Sequence, residues 1–445
     1  MTAGSPQTAD SAEALLDQPI HTPTPAEISR HTATRRVKMW APILLLLVGA
    51  VAGAQLLRPL PAPYMVVANR THTVEGRLAV PWPDQGQGAV RIAGSGTIST
   101  FGVQKSVPIA SVAKIMTAYV VLKDHPLRRG EAGSTVTVDA RAVAEGRSEN
   151  ESRIAGLTEG STYSQLDMLK MLMIPSGNNT ARLLARWSAD SRSEALFVEK
   201  MNVAARNLDM KDTTYTDPSG LDAGTVSTAA DQLKLAEAVM RDDVFRSIVA
   251  MPDAGIDNLS QRLINNNTLL GAPELSIRGI KTGSSTPAGG ALVWAGYKTV
   301  GKETPLILGA LLEQRADSPD LNATRSLALV LANSKKVIET VRGVLTSATV
   351  VHKGDTVGYV DDGLGGRTPL VAGADLTVPA TPGQVLRLTL GTSGGRGAAT
   401  AIPHTAAVGA EVGVLTAGEG ARSVPVVAGE ELTEPSIGTR LTRIG

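Results

Sequence analysis

An antiparallel β-sheet with helices beside it, followed by a small all-β module, is the architecture this sequence predicts. Three observations predict it. Helix-period and β-branched stretches are mixed between Val66 and Val341. Two consecutive strand-like stretches, Ala291–Lys298 and Leu306–Glu313, are joined through Val300-Gly-Lys-Glu, a hairpin signal that favours antiparallel pairing over a doubly wound parallel sheet. After Leu345 the chain turns Gly-, Val- and Thr-rich and loses its helical period.

Residues 1–34 are rich in Pro, Thr, Ala and Ser with little periodicity and read as a disordered tail. Arg35, Arg36 and Lys38 then lead into Met39–Leu57, which holds no formal charge. At about 1.5 Å per residue this run just spans a bilayer core. The segment 35–57 is an uncleaved signal anchor or a signal peptide cut near Ala52-Gly53-Ala54. A buried core helix is disfavoured, because such a helix seldom lacks a polar face. Basic residues on the N-terminal side keep that end in the cytoplasm, so both export readings put the rest of the chain outside it.

Residues 58–65, with Arg58-Pro-Leu-Pro-Ala-Pro63, form an extended linker, and globular composition runs over 66–342. Gly94–Gln104 has the character of short strands and turns. Helices are expected over Leu166–Ile174, Asn179–Trp187, Ala195–Leu208 and Ala229–Met240, the last capped from within Thr225–Thr228. A strand over Ser276–Thr282 and the hairpin follow, and a helix from Arg325 to about Val341 closes the block. In the β-rich region 345–420, Val351–Val360 is echoed by Ala406–Leu415, with Gly354, Val357 and Gly358 matching Gly409, Val412 and Gly413 at an offset of 55. The repeat suggests two β-hairpin units packed face to face, either a rigid spacer or a binding module. Residues 421–445 read as a loose tail.

The 43 basic and 42 acidic residues nearly cancel, leaving no basic field for a nucleic-acid backbone. Cys is absent, which excludes disulfide scaffolds, thiol catalysis and thiolate metal sites. The six His are scattered, which argues against a His-rich metal site, and a Ser-His-Asp triad in the central region would need His72 or His125.

Three motifs carry chemistry instead. In Pro108-Ile-Ala-Ser111-Val-Ala-Lys114, a separation of three puts the lysine one helical turn from the serine. A serine hydroxyl is a weak nucleophile until a base takes its proton, and a lysine amine can do so only when burial or nearby cations keep it neutral. The apolar neighbours Ile109, Ala110, Ala113, Ile115 and Met116 supply that setting. The second motif, Pro175-Ser176-Gly-Asn178, is a turn that can hold Ser176 as a proton relay and Asn178 as a partner for a substrate amide. The third, Lys281-Thr282-Gly283-Ser284, ends a β-branched stretch. There Lys281 offers a fixed positive charge, Thr282 a hydroxyl for a substrate carboxylate, and Gly283 close approach to a bound peptide. The backbone N–H groups of Ser111 and Ser284 can together form an oxyanion hole.

Ser-x-x-Lys, Ser-x-Asn and Lys-Thr-Gly in this order resemble the joint signature of penicillin-binding proteins and class A β-lactamases. The chain is similar to the serine D-alanyl-D-alanine carboxypeptidases of the low-molecular-mass penicillin-binding proteins, peptidase family S11. The likeness extends to Ile115-Met-Thr-Ala-Tyr, Phe197-Val-Glu-Lys-Met-Asn202, Leu208–Leu221 and Ser227-Thr-Ala-Ala-Asp231. The resemblance implies an α+β fold of the β-lactamase/penicillin-binding transpeptidase-like type, with an antiparallel sheet flanked by helices and a helical subdomain. It implies release of D-alanine from peptidoglycan stem peptides through an acyl-enzyme on Ser111, without cofactor or metal, and inhibition by β-lactams. Lys114 would be the base, Ser176 and Asn178 the second-motif pair, and Lys281 with Thr282 the carboxylate clamp. Some members carry His after Lys-Thr-Gly, where this chain has Ser284. The deacylating glutamate loop of class A β-lactamases has no counterpart between Asn179 and Lys281, since Glu194, Glu199 and Glu237 fall in helix-like runs.

Overall fold

The computed structural model describes residues 25–188, 193–317, 320–392, 401–420 and 422–443. Most of the expected disordered tail, residues 1–24, lies outside the described residues. Its last part does not read as disordered: α1 runs without a break over Pro25–Leu57. Pro25 occupies a first-turn position, and the Ala-Glu-Ile-Ser-Arg run after it contains good helix formers.

Two short strands, β1 (Tyr64–Val67) and β2 (Thr71–Thr73), follow. Next come β3 (Gln87–Ile92) and β4 (Gly96–Phe101), then the helices α2 (Lys114–Asp124), α3 (Ala140–Glu145), α4 (Gln165–Met173), α5 (Asn178–Ser188), α6 (Glu194–Asn207), α7 (Ala229–Val239) and α8 (Asp243–Val249). Strands β5 (Ile277–Ser285), β6 (Gly289–Tyr297) and β7 (Leu306–Gln314) precede α9 (Thr324–Val344). The caps are local: the Ser164 side chain accepts from Asp167 N at the start of α4, and Thr228 accepts from Asp231 N at the start of α7.

The five long strands form one antiparallel sheet in the order β5-β6-β7-β3-β4. Strands β6 and β7 are buried almost throughout because helices cover both faces. Period-two alternation divides their side chains. Ala291, Val293, Ala295, Leu308, Ala310 and Leu312 face the core shared with α2 and α7, while Leu292, Trp294, Ile307 and Leu311 pack with Val330, Val337, Ile338 and Val341 of α9. Gly309, opposite Trp294, leaves room for the indole, since a Cβ there would lie 2.1 Å from the ring.

The remaining strands are β8 (Thr346–Val351), β9 (Thr356–Asp361), β10 (Arg367–Ala372), β11 (Leu376–Ala380), β12 (Val385–Gly391), β13 (Glu411–Ala417) and β14 (Arg422–Ala428). They build a second sheet in the order β1-β9-β10-β14-β13-β12-β2, with β8 and β11 paired as a ribbon. Three expectations change here. The strands β1 and β2 complete this sheet, so the first residues of the globular region belong with the C-terminal module. The supposed loose tail supplies β14, whose Val424, Val426 and Ala428 are buried, and a short helix α10 (Ile437–Thr442). The repeated hairpins β9–β10 and β13–β14 join edge to edge through Leu370–Ala372 against Val426–Ala428 rather than face to face. The outer strand of each hairpin leaves a row of unpaired backbone N–H and C=O groups, and ladder hydrogen bonds between the two hairpins satisfy those edges.

Candidate active site

Ser111 lies in a 3-10 turn, Ala110–Ala113, that runs directly into α2. Ala110 has a left-handed backbone, φ 46°, and the turn is clamped from two sides. On one side Gly220 (φ +79°) packs so closely that a Cβ would fall 1.8 Å from the Ala110 carbonyl oxygen. On the other, a Cβ at Gly283 of edge strand β5 would lie 2.7 Å from the Ile109 carbonyl oxygen. Gly283 is thus required for close approach to the turn carrying Ser111.

Lys114 begins α2 and is fully buried. Its Nζ lies 2.9 Å from Ser111 Oγ, 2.6 Å from Asn178 Oδ1 and 2.8 Å from the Ser219 carbonyl oxygen. Burial first, then the charge of Lys281, holds the amine well below its ordinary value; Asp217 and Glu151 oppose the shift and Arg182 adds to it. Lys281, in β5, is also buried, and desolvation lowers it to about 7. Its charge is thus not fixed, as expected from the sequence, but titrates near neutrality. Thr282 beside it is buried, and Ser284 lines the cleft with Ser111.

Ser176 also has a left-handed backbone, φ 71°, and its buried Oγ has no hydrogen-bond partner among the described residues. Asn178, the first residue of α5, spans two partners: Oδ1 receives Lys114, and Nδ2 donates to Glu151 Oε2 at 2.7 Å. Ser111, Asn178 and Ser284 share a cleft of about 450 Å³ with Glu149, Glu151, Gly220 and Leu221. His125 packs at a tilt against Trp187 with centroids 4.2 Å apart, and His72 pairs in β2, so neither joins Ser111. Among the described residues no group of three His, Asp or Glu is placed to hold a metal ion.

Sequence reasoning missed Glu151, Arg182 and the Asp217–Gly220 loop as parts of the site. The loop had a signal, since Asp-Pro-Ser-Gly is a turn sequence. Its Asp217 carboxylate accepts from Ser219 N, Ser219 Oγ at 2.6 Å, Leu221 N and Thr225 Oγ1, while Thr117 Oγ1 of α2 donates to the Pro218 carbonyl at 2.6 Å. Glu151 had none: it sits in a polar segment whose approach to Asn178 is purely tertiary.

A family model described as D-alanyl-D-alanine carboxypeptidase matches residues 98–311. The chain is 32% identical over 206 residues to the D-alanyl-D-alanine carboxypeptidase of Streptomyces sp. (strain K15), covering 43% of this chain and 69% of that one. It is 31% identical over 244 residues to the D-alanyl-D-alanine carboxypeptidase DacC of Escherichia coli (strain K12), covering 54% and 58%. With DacB2 of Mycobacterium tuberculosis (strain ATCC 25618 / H37Rv) it shares 34% over 186 residues, 41% of this chain and 59% of that relative. The chain thus spans less than two thirds of the length of the last two relatives. In fold it is similar to the crystal structure of penicillin binding protein 5 from Haemophilus influenzae, with a TM-score of 0.56 and 18% identity over 81% of this chain and 99% of that one.

Proposed function

The chain belongs to the D-alanyl-D-alanine carboxypeptidase family, peptidase family S11, and from that premise we propose that it removes the terminal D-alanine of peptidoglycan stem peptides through an acyl-enzyme on Ser111. The observation that carries this reading is the set of partners around Lys114. A neutral amine has two N–H donors and one lone pair. Two of its three partners, Asn178 Oδ1 and the Ser219 carbonyl, are acceptors only, and the third is a hydroxyl. The two N–H bonds therefore go to the carbonyls, and the lone pair is left for the Ser111 proton.

In the reaction, Lys114 takes that proton as Oγ attacks the carbonyl carbon of the penultimate D-alanine. The N–H groups of Ser111 and Ser284 stabilise the oxyanion, and protonated Lys281 with the Thr282 hydroxyl holds the terminal carboxylate. Collapse of the tetrahedral intermediate breaks the peptide bond, and the lysine proton passes to the leaving amine, with Ser176 Oγ, which holds no other hydrogen bond among the described residues, free to relay it once substrate fills the cleft. Water then hydrolyses the acyl-serine by the reverse sequence. A penicillin presents an acyl group and a carboxylate at similar spacing and would be trapped on the same oxygen.

The site would work outside the cytoplasm. Val37–Leu57 has a mean hydropathy of 2.0, with none of it buried against the rest of the chain, and is long and apolar enough to cross a membrane. The basic residues before it would keep its N-terminal end inside.

The test is a fluorescent penicillin with a peptide pair. Ser111 should be labelled, and Ser111→Ala should lose the label. Diacyl-Lys-D-Ala-D-Ala should be cleaved and its C-terminal amide spared; a Ser111→Ala protein labelled as strongly as wild type would refute the assignment.

A further inference from the structure

We propose that Glu151 is a positioning residue for this reaction: by accepting one N–H of the Asn178 carboxamide, it fixes that amide with its oxygen on Lys114 and so aims the amine at Ser111. The inference rests on the acyl-enzyme reading above.

A carboxamide has two ends of nearly equal shape and opposite hydrogen-bonding sense. Rotated by half a turn, Asn178 would set its NH2 against Lys114 Nζ, donor facing donor, and the lysine would lose one of its two acceptors. Glu151 decides the orientation from the far side. An ionised carboxylate accepts only, and Oε2 lies 2.7 Å from Asn178 Nδ2. The flipped amide would oppose oxygen to oxygen there, so both ends favour one rotamer. The second N–H of Asn178 remains for a substrate carbonyl.

The carboxylate is itself held. Arg182 sits four residues beyond Asn178, on the same face of α5, and its Nη2 lies 2.9 Å from Glu151 Oε2. Burial alone would push Glu151 up, but hydrogen bonds from Arg182 and Asn178, with the guanidinium charge, keep it below the ordinary carboxylate range. Its side chain is 10% exposed, and it lines the same cleft as Ser111. The charge reaches the base as well. Lys114 is faced by Lys281 from β5, Asp217 from the loop before α7, Arg182 from α5 and Glu151 from the loop before α4. The two cations favour the neutral amine and the two anions oppose it. Removing the Glu151 charge therefore lowers the lysine further and moves the acid limb of acylation to lower pH.

Single-turnover acylation of the full chain by a fluorescent penicillin, followed from pH 5 to 9, separates the effects. Glu151→Ala frees the amide, and the rate at the optimum should fall about tenfold or more. Glu151→Gln keeps an oxygen for Asn178 Nδ2, so it should recover to within about threefold of wild type while sharing the shifted limb. A brace for the loop alone would lower Tm and leave the limb in place, and that outcome overturns the proposal. So does a Glu151→Ala rate within about twofold of a normally acylated wild type. Should the alanine variant fail to fold, Glu151→Ser, too short to reach Asn178 Nδ2, takes its place, and a rate within about twofold of wild type overturns the proposal. A wild type that forms no acyl-Ser111 overturns the underlying reading, and this inference with it.

Discussion

Two buried lysines lie in one site, and the duties proposed for them have different signatures. Lys114→Arg keeps the cation but cannot supply a neutral amine near pH 7. Acylation should fall by about 10²–10⁴, read as a single-turnover rate. In its proposed role as carboxylate clamp Lys281 must instead be charged, and burial lowers its pKa to about 7. The KM of a free-carboxylate peptide should therefore rise above that pH, measured from pH 6 to 9. The same depressed value costs stability. Between about 7 and the ordinary 10.5 the unfolded chain holds a proton that the folded chain lacks, so stability rises with pH across that window, and the whole penalty is present below it. Lys281→Met should raise stability at pH 7 by about 1–2 kcal/mol while losing the substrate, checked by denaturant unfolding beside a peptidase assay.

At the scale of elements, the last strand of the C-terminal sheet tests what residues 421–445 are. In β14, Val426 is fully buried between β10 and β13, whereas Ser423 points to solvent. A loose tail would tolerate a charge at either position. In the sheet, Val426→Asp leaves an unpaired carboxylate in the core and should cost about 3 kcal/mol or more. Ser423→Asp should stay within about 0.5 kcal/mol, both read from urea midpoints. The site rests on similar element contacts: α2 is buried along most of its length, and β5 and the Asp217–Gly220 loop hold its first turn from two sides.

Across the whole molecule, the β module lies between the apolar helix and the catalytic block. Arg443, just past α10, donates to the carbonyls of Gln55 at 2.6 Å, Arg58 at 2.7 Å and Pro59 at 3.1 Å, which satisfies backbone acceptors at the end of α1. At the module's other end, Glu419 N donates to the Gly94 carbonyl at 2.8 Å, and the Glu419 carboxylate meets Arg91, which also holds Glu237 at 2.9 Å. A chain anchored through α1 would hold its site at a set height above the membrane. The full protein should stay in the membrane fraction through high salt and alkaline carbonate, and protease added outside cells should remove the catalytic domain. A soluble form starting at Gln55 as the main species would replace the anchor by a cleaved signal.

Local sequence specifies the elements and points to the chemistry proposed for them. Helices α4 to α7 and strands β5 to β7 stand within a few residues of their expected places, because amphipathic period, caps and a hairpin turn are local properties. The three motifs were legible for the same reason: Ser111 and Lys114 are one turn apart, and Lys-Thr-Gly ends a strand. Which segments met was settled by packing between parts of the chain that lie far apart in sequence. It joined β1, β2 and β14 into one sheet across more than 350 residues of chain, and short strands with exposed edges carry no local mark of their partner. It set Glu151 and Arg182 behind Asn178, and the Ser219 carbonyl on Lys114. It also made Lys281 a titrating group, because desolvation depends on what surrounds a side chain, and nothing in Lys-Thr-Gly specifies the burial that moves its proton.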